Sequence, residues 1–161
     1  VTLNSGTGVT GADLGGAAAL EPVVAYTLSI DSQTAGVTLD TDVFTVGDLT
    51  ITAAGTITRN GLLQASEGDI SVVTESGQIL LDGAELHALG GAITLRALKE
   101  GVVQVTATAP APRWQDYIVA ETGVTIDAGG EITIIGVVRS NSACGGRKHQ
   151  RDGNGRRDHG T

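Results

Sequence analysis

Between residues 36 and 136 aliphatic residues alternate with Thr, Ser or Ala in runs of four or five, and most runs begin at a glycine. One phrase, glycine followed by an aliphatic–hydroxyl–aliphatic alternation, stands at Gly47 ("GDLTI"), Gly68 ("GDISV"), Gly91 ("GAITL") and Gly130 ("GEITI"), at spacings of 21, 23 and 39. A second series begins at Gly36, Gly55, Gly77, Gly101 and Gly123, at spacings of 19, 22, 24 and 22. A third, weaker series follows seven residues after Gly55 and Gly77, at "LLQA" (62–65) and "AELHA" (84–88). Period-two alternation rich in Val, Ile and Thr predicts strands. Three such strands per period of about 21 residues are too short and too sharply separated to pair within one period; they pair with their equivalents in the periods on either side. The pattern therefore predicts an all-β fold, a parallel β-helix (solenoid) with three short strands per coil and coils about 4.8 Å apart.

In that arrangement Leu49, Ile51, Ile57, Ile70, Val72, Ile79, Leu81, Ile93, Leu95, Ile132 and Ile134 face inward as aliphatic ladders, while Thr and Ser face water. Glycines stand at the corners, where a Cβ would clash or the backbone needs φ > 0. A β-sandwich would also alternate and turn at glycine. The shared period and the shortage of aromatic residues weigh against it. The Gly47 series misses a phrase near residue 110, where the chain reads "APAPRWQDYI". Proline cannot donate to a central ladder, so residues 107–119 are expected to bulge from one corner as a loop.

Composition sharpens this picture. Hydrophobic residues make up 40% of the 161, but aromatics only 2%, with no Met and 24 glycines, which suits thin stacked layers over a core filled by large rings. The formal charge of −8 is divided: residues 1–138 carry 4 basic and 16 acidic groups, while residues 139–161 carry six Lys/Arg and two acids. An acidic body disfavours nucleic acid and anionic membranes as partners. No apolar stretch is long enough for a helical span, since "AAALEPVVAYTLSI" is broken by Glu21 and Pro22, and membrane insertion is not expected. The single cysteine, Cys144, allows no internal disulfide. The chain opens "VTLNSGTG", without a basic leader or an initiator Met, and reads as a fragment or processed segment.

The candidate chemistry is sparse. "GTGVTG" (Gly6, Gly8, Gly11), with Asp31 beyond it, spells a dinucleotide-binding glycine pattern, but no βαβ unit continues from it. Asp48 and Asp69 occupy one corner in successive coils, so their carboxylates would stack and could share a cation; the plainer reading is Asp as a turn residue after Gly. Carboxylates such as Asp40, Asp42 and Asp82 invite an acid–base reading, yet Arg59, Arg96, Lys99 and Arg113 are the body's only fixed cations. Thr-x-Thr pairs at 50–52 and 56–58 would suit a flat water-ordering array, but the equivalent Ser71–Val73 and Gln78–Leu80 interrupt it. Arg113, Trp114 and Tyr117 are the candidate ligand or partner contacts; the two rings would stack on a sugar, dock a protein, or cap an open end of the core. "DGNGRRDHG" (152–160) fails as an EF-hand loop, and Cys144, His149 and His159 lack zinc spacing, so no cofactor is expected.

Three segments follow: 1–22 as an irregular or partial first coil, 23–138 as solenoid repeats, and 139–161 as a basic tail of disordered composition. The tail's Gly, Arg, His and Asp become Ala, Val and Thr when GC-rich codons are read one base later, so an out-of-frame end to a longer solenoid is one reading and an interaction arm the other.

"GDLTITAAGTI", "LLQASEGDISVV" and "LDGAELHALGGAITLRA" resemble the repeats of bacterial filamentous-haemagglutinin-type exoproteins, over roughly residues 36–136. The resemblance implies a right-handed parallel β-helix, export across the bacterial envelope, and a shaft segment of a large secreted or surface-attached (outer-membrane-associated) adhesin without catalysis. Expected partners are neighbouring repeats of a longer chain and host glycans or proteins. The family's secretion-domain motif, of the Asn-Pro-Asn-Leu type, is not found, so the chain reads as an interior segment and no family binding residue carries over. The alternative is a carbohydrate-active β-helix enzyme of the polysaccharide lyase or hydrolase type.

Overall fold

The structure, a computed structural model, describes residues 2–5, 9–10, 23–106 and 116–141. Every regular element among them is a strand. Read along the chain, the strands fall into six rungs. The first holds β1 (Thr2–Ser5), β2 (Val9–Thr10) and β3 (Val23–Ala25); the second β4 (Leu28–Ser32), β5 (Val37–Leu39) and β6 (Val43–Thr45). The third holds β7 (Leu49–Ala53) and the long β8 (Ile57–Ala65), and the fourth β9 (Ile70–Thr74) and the long β10 (Ile79–Ala88). The fifth holds β11 (Ala92–Ala97), β12 (Val103–Thr106) and β13 (Asp116–Ala120), and the sixth β14 (Gly123–Ala128), β15 (Ile132–Ile134) and β16 (Val137–Ser140).

All pairing is parallel and between rungs. The first face is the six-stranded sheet β1-β4-β7-β9-β11-β14. The second runs from β2 through β5, the first halves of β8 and β10, and β12 to β15; the third runs from β3 and β6 through the second halves of β8 and β10 to β13 and β16. This is the predicted β-solenoid. Because β1 and β2 pair with β4 and β5, the segment expected as a partial first coil already contributes two strands to the stack.

Parity along each strand decides what is buried. On the first face Leu28, Leu49, Ile70 and Ile93 form one inward column and Ile30, Ile51, Val72 and Leu95 a second, all buried. Fully burying one such aliphatic side chain is worth roughly 1.5–3 kcal/mol, and each sits between equivalents above and below. Where the strands approach corners the inward residues become small or hydroxylic. Buried Ser32, Thr45 and Thr74 donate to the carbonyls of Ala35, Gly47 and Gly55, satisfying acceptors that the bends leave open.

Two expectations are corrected in the last rung. Gly123–Ile126 pairs with β11 and so continues the Gly47 series, whereas the Gly130 N–H bonds to Gly101 O and Ile132 pairs with Val103, continuing the Gly36 series. The fifth rung is lengthened between β12 and β13, which makes one long period resemble a skipped one. Ile132 and Ile134 do face inward by register, but they are 44% and 39% exposed. β15 ends its sheet, with β12 on one side and no described strand on the other. Of the loop expected over 107–119, residues 107–115 lie outside the described residues and 116–119 belong to β13.

Candidate functional site

Three places on the solenoid carry groups beyond the repeating pattern: the corner into the first face, the corner into the third face, and the outer surface of the third face.

At the corner into the first face, Asp48 and Asp69 stack as expected, and each carboxylate is used by the next rung. Asp48 Oδ1 accepts the Asp69 N–H at 3.0 Å, and Asp69 Oδ1 accepts the Ala92 N–H at 2.7 Å. Glycine is required here by approach. A Cβ on Gly68 would overlap the Gly47 carbonyl carbon and the Asp48 backbone nitrogen, and one on Gly91 would overlap Asp69 Oδ1. Both are hydrogen bonds of the kind a turn aspartate makes. A shared cation needs a convergent ligand set, and among the described residues no three His, Cys, Asp or Glu side chains gather.

The corner into the third face is different. Arg59 stands in an inward column between Leu39 and Leu81 and is only 1% exposed. Its stem lies in the aliphatic core, and its guanidinium reaches the bend. Nη1 donates to Leu39 O at 2.9 Å and also to Asn60 O, while Nη2 donates to Leu62 O at 2.6 Å. Nε has no hydrogen-bond partner among the described residues. Burial lowers the Arg59 pKa from its ordinary value to about 10, against the opposing pull of Asp42 and then Asp40. Asp42 Oδ1 also accepts the Leu62 N–H at 2.8 Å. Gly61 turns the chain with φ of 96°, and Gly83 repeats the left-handed bend one rung on with φ of 66°.

On the outer third face, parity turns Val24 and Phe44 outward beside each other, since they are register partners. Tyr26 and Val46 follow two residues on, joined through the Val46 N–H to Ala25 O and the Gly47 N–H to Tyr26 O. The four side chains make a two-by-two apolar patch, with Val24 76% and Tyr26 74% exposed. The same two columns become Gln64 and Ser66 on the next rung, then His87 and Leu89. His87 Nε2 lies 3.6 Å from Glu85 Oε2, with both side chains half-buried. The first face keeps a hydroxyl at every described level of one outer column, Ser29, Thr50, Ser71, Thr94 and Thr125, while its neighbour reads Asp31, Thr52, Val73, Arg96 and Asp127.

Of the proposed contact residues, Arg113 and Trp114 lie outside the described residues, and Tyr117 is placed in β13. Cys144, His149, His159 and the tail from 142 onward also lie outside them. Sequence reasoning missed Arg59 as a core residue and missed the Tyr26–Phe44 patch. Both signals were present. Arg59 has the parity of Ile57, and "VFT" stands seven residues after Gly36, where the third series puts a strand.

No helix among the described residues is long and apolar enough to cross a membrane. Comparison of the chain with protein-family models, with curated proteins and with solved structures finds no match.

Proposed function

We propose that this chain is a structural and adhesive shaft segment of a large secreted or surface-attached bacterial adhesin, with neighbouring repeats as its main partners. The observation that carries the reading is the pairing itself. Every described strand bonds to its equivalent in an adjacent rung, so each rung is the docking surface for the next and length is added without a globular core. The resemblance of "GDLTITAAGTI" and its companions to exoprotein repeats supplies the surface-adhesin context.

Antibodies against the chain test the reading on intact and permeabilised cells of its source. Labelling of intact cells is expected, and labelling only after permeabilisation would overturn it. Incubation with acidic and neutral polysaccharides tests the enzymatic alternative: new reducing ends or unsaturated products would replace the shaft by a carbohydrate-active enzyme.

A further inference from the structure

We infer that the outer third face carries a carbohydrate-contact site, built from Tyr26 and Phe44 with Gln64 and Ser66 beside them, which takes one neutral pyranose ring.

The first ground is where this chain spends its aromatic residues. It has one Trp, two Tyr and one Phe, and every described inward column is filled without them. Two of the four stand together on the outside of adjacent rungs. A single exposed apolar residue is ordinary, whereas exposed Val24, Tyr26 and Val46 with half-buried Phe44 beside them form the kind of cluster that marks a contact surface. The Tyr26 ring leans over the rung gap, its Cε1 3.9 Å from where a Cβ on Gly47 would stand.

The second ground is size. Rungs are about 4.8 Å apart, and residues i and i+2 on one strand are about 6.8 Å apart, so the patch centre matches one sugar ring. A stable protein interface needs about 800 Å² on each partner, far more than two rungs of two residues supply. The patch then ends in a side-chain amide and a hydroxyl, Gln64 and Ser66, the donor–acceptor groups that ring hydroxyls pair with. A pyranose has an apolar face of C–H groups for the rings and a polar rim for that amide and hydroxyl.

The third ground is charge. None of the four patch residues is ionisable near neutral pH, and residues 1–138 are strongly acidic. An anionic sugar would be repelled, so a neutral one is favoured. The site supplies the adhesive half of the proposed role, and it does not depend on where the chain is displayed.

The test is saturation-transfer NMR on the full 161-residue chain with methyl β-D-galactopyranoside, the methyl glycoside of N-acetyl-β-D-glucosamine, and D-glucuronate. At least one neutral glycoside should receive saturation on the hydrogens of its apolar face, and glucuronate should receive little. Tyr26→Ala with Phe44→Ala should lower that signal roughly fivefold, since an aromatic contact carries about that factor. Tyr26→Leu with Phe44→Leu, which keeps the apolar area, should lower it similarly, while Tyr26→Trp should raise it. The Trp variant keeps the test decisive if the alanine pair folds poorly. Equal signals in wild type and the leucine pair, or none from either neutral glycoside, would overturn the proposal. So would a dimer in sedimentation equilibrium that Tyr26→Ala abolishes, which would make the patch a protein surface.

Discussion

The corner into the first face and the corner into the third face bend the same chain by opposite means. The first uses repetition: Gly47, Gly68 and Gly91 allow close approach, and Asp48 and Asp69 each take an N–H from the rung that follows. The third-face corner adds a device found once among the described residues, the buried Arg59, which ties together the carbonyls of Leu39, Asn60 and Leu62. A repeated corner looks alike from one rung to the next, so it fixes the spacing but not which rung lies where. A lone guanidinium distinguishes one rung from its neighbours, and it requires Leu39 below it. The comparison teaches that a stack of interchangeable aliphatic columns holds its register through its exceptions.

The largest effect should come from breaking the unique corner. Arg59→Ala removes a buried side chain and leaves three carbonyls short of a donor, for an expected loss of about 3–5 kcal/mol in denaturant unfolding. Arg59→Met refills most of the volume without a buried charge and should recover most of that loss. If Met costs as much as Ala, the hydrogen bonds rather than the volume hold the corner. Introduced cysteine pairs check the register directly. Cysteines at Thr38 and Thr58, on adjacent rungs, should cross-link, whereas cysteines at Thr38 and Leu80, two rungs apart, should not.

Next in size is the repeated corner. Gly68→Ala forces a Cβ into Gly47 and Asp48 and should cost about 1–3 kcal/mol, with a lower midpoint in thermal melts. Gly123→Ala meets nothing within 4 Å and should stay within about 0.5 kcal/mol of wild type. Equal losses at the two positions would remove the steric account of the corner. Asp48→Ala gives up one exposed hydrogen bond to the Asp69 N–H and should cost about 1 kcal/mol.

The smallest and most diagnostic effect is pH-dependent. Burial holds the Arg59 pKa at about 10, well below the ordinary guanidinium value, so above about pH 10 the unfolded chain binds more protons than the folded one, and stability rises with pH. Arg59→Met lacks that gain. The stability of wild type relative to Arg59→Met should therefore climb between pH 9 and pH 11, as read from paired urea titrations; a flat difference would place the guanidinium in a wetter site.

The repeating part of this design was legible in the sequence, because parity and period are what a parallel stack enforces on every rung. Nine of the eleven inward residues named from alternation alone are buried; Ile132 and Ile134 are not, since inwardness by register gives cover only where a further strand lies above. The order of the last phrases was misread because periodicity counts residues, and residues 107–115 lengthen the fifth rung without changing its place in the stack. Arg59 and the Tyr26–Phe44 patch were hidden for opposite reasons. Arg59 was read only as one of the body's few fixed cations, and Tyr26 and Phe44 were given no place until the third face was known. In both cases the exception lay at a position whose parity could be counted.

The aspartate bonds also have a direction. Asp42 accepts from Leu62, Asp48 from Asp69 and Asp69 from Ala92, so in each case the acceptor belongs to the earlier rung and the donor to the later one. These side-chain ties run one way along the rod, and the series at the first corner stops where Ala92 stands in place of a third aspartate. A rung docking on the carboxyl-terminal side of an aspartate corner therefore meets an acceptor already in place, whereas one docking on the amino-terminal side has to bring its own.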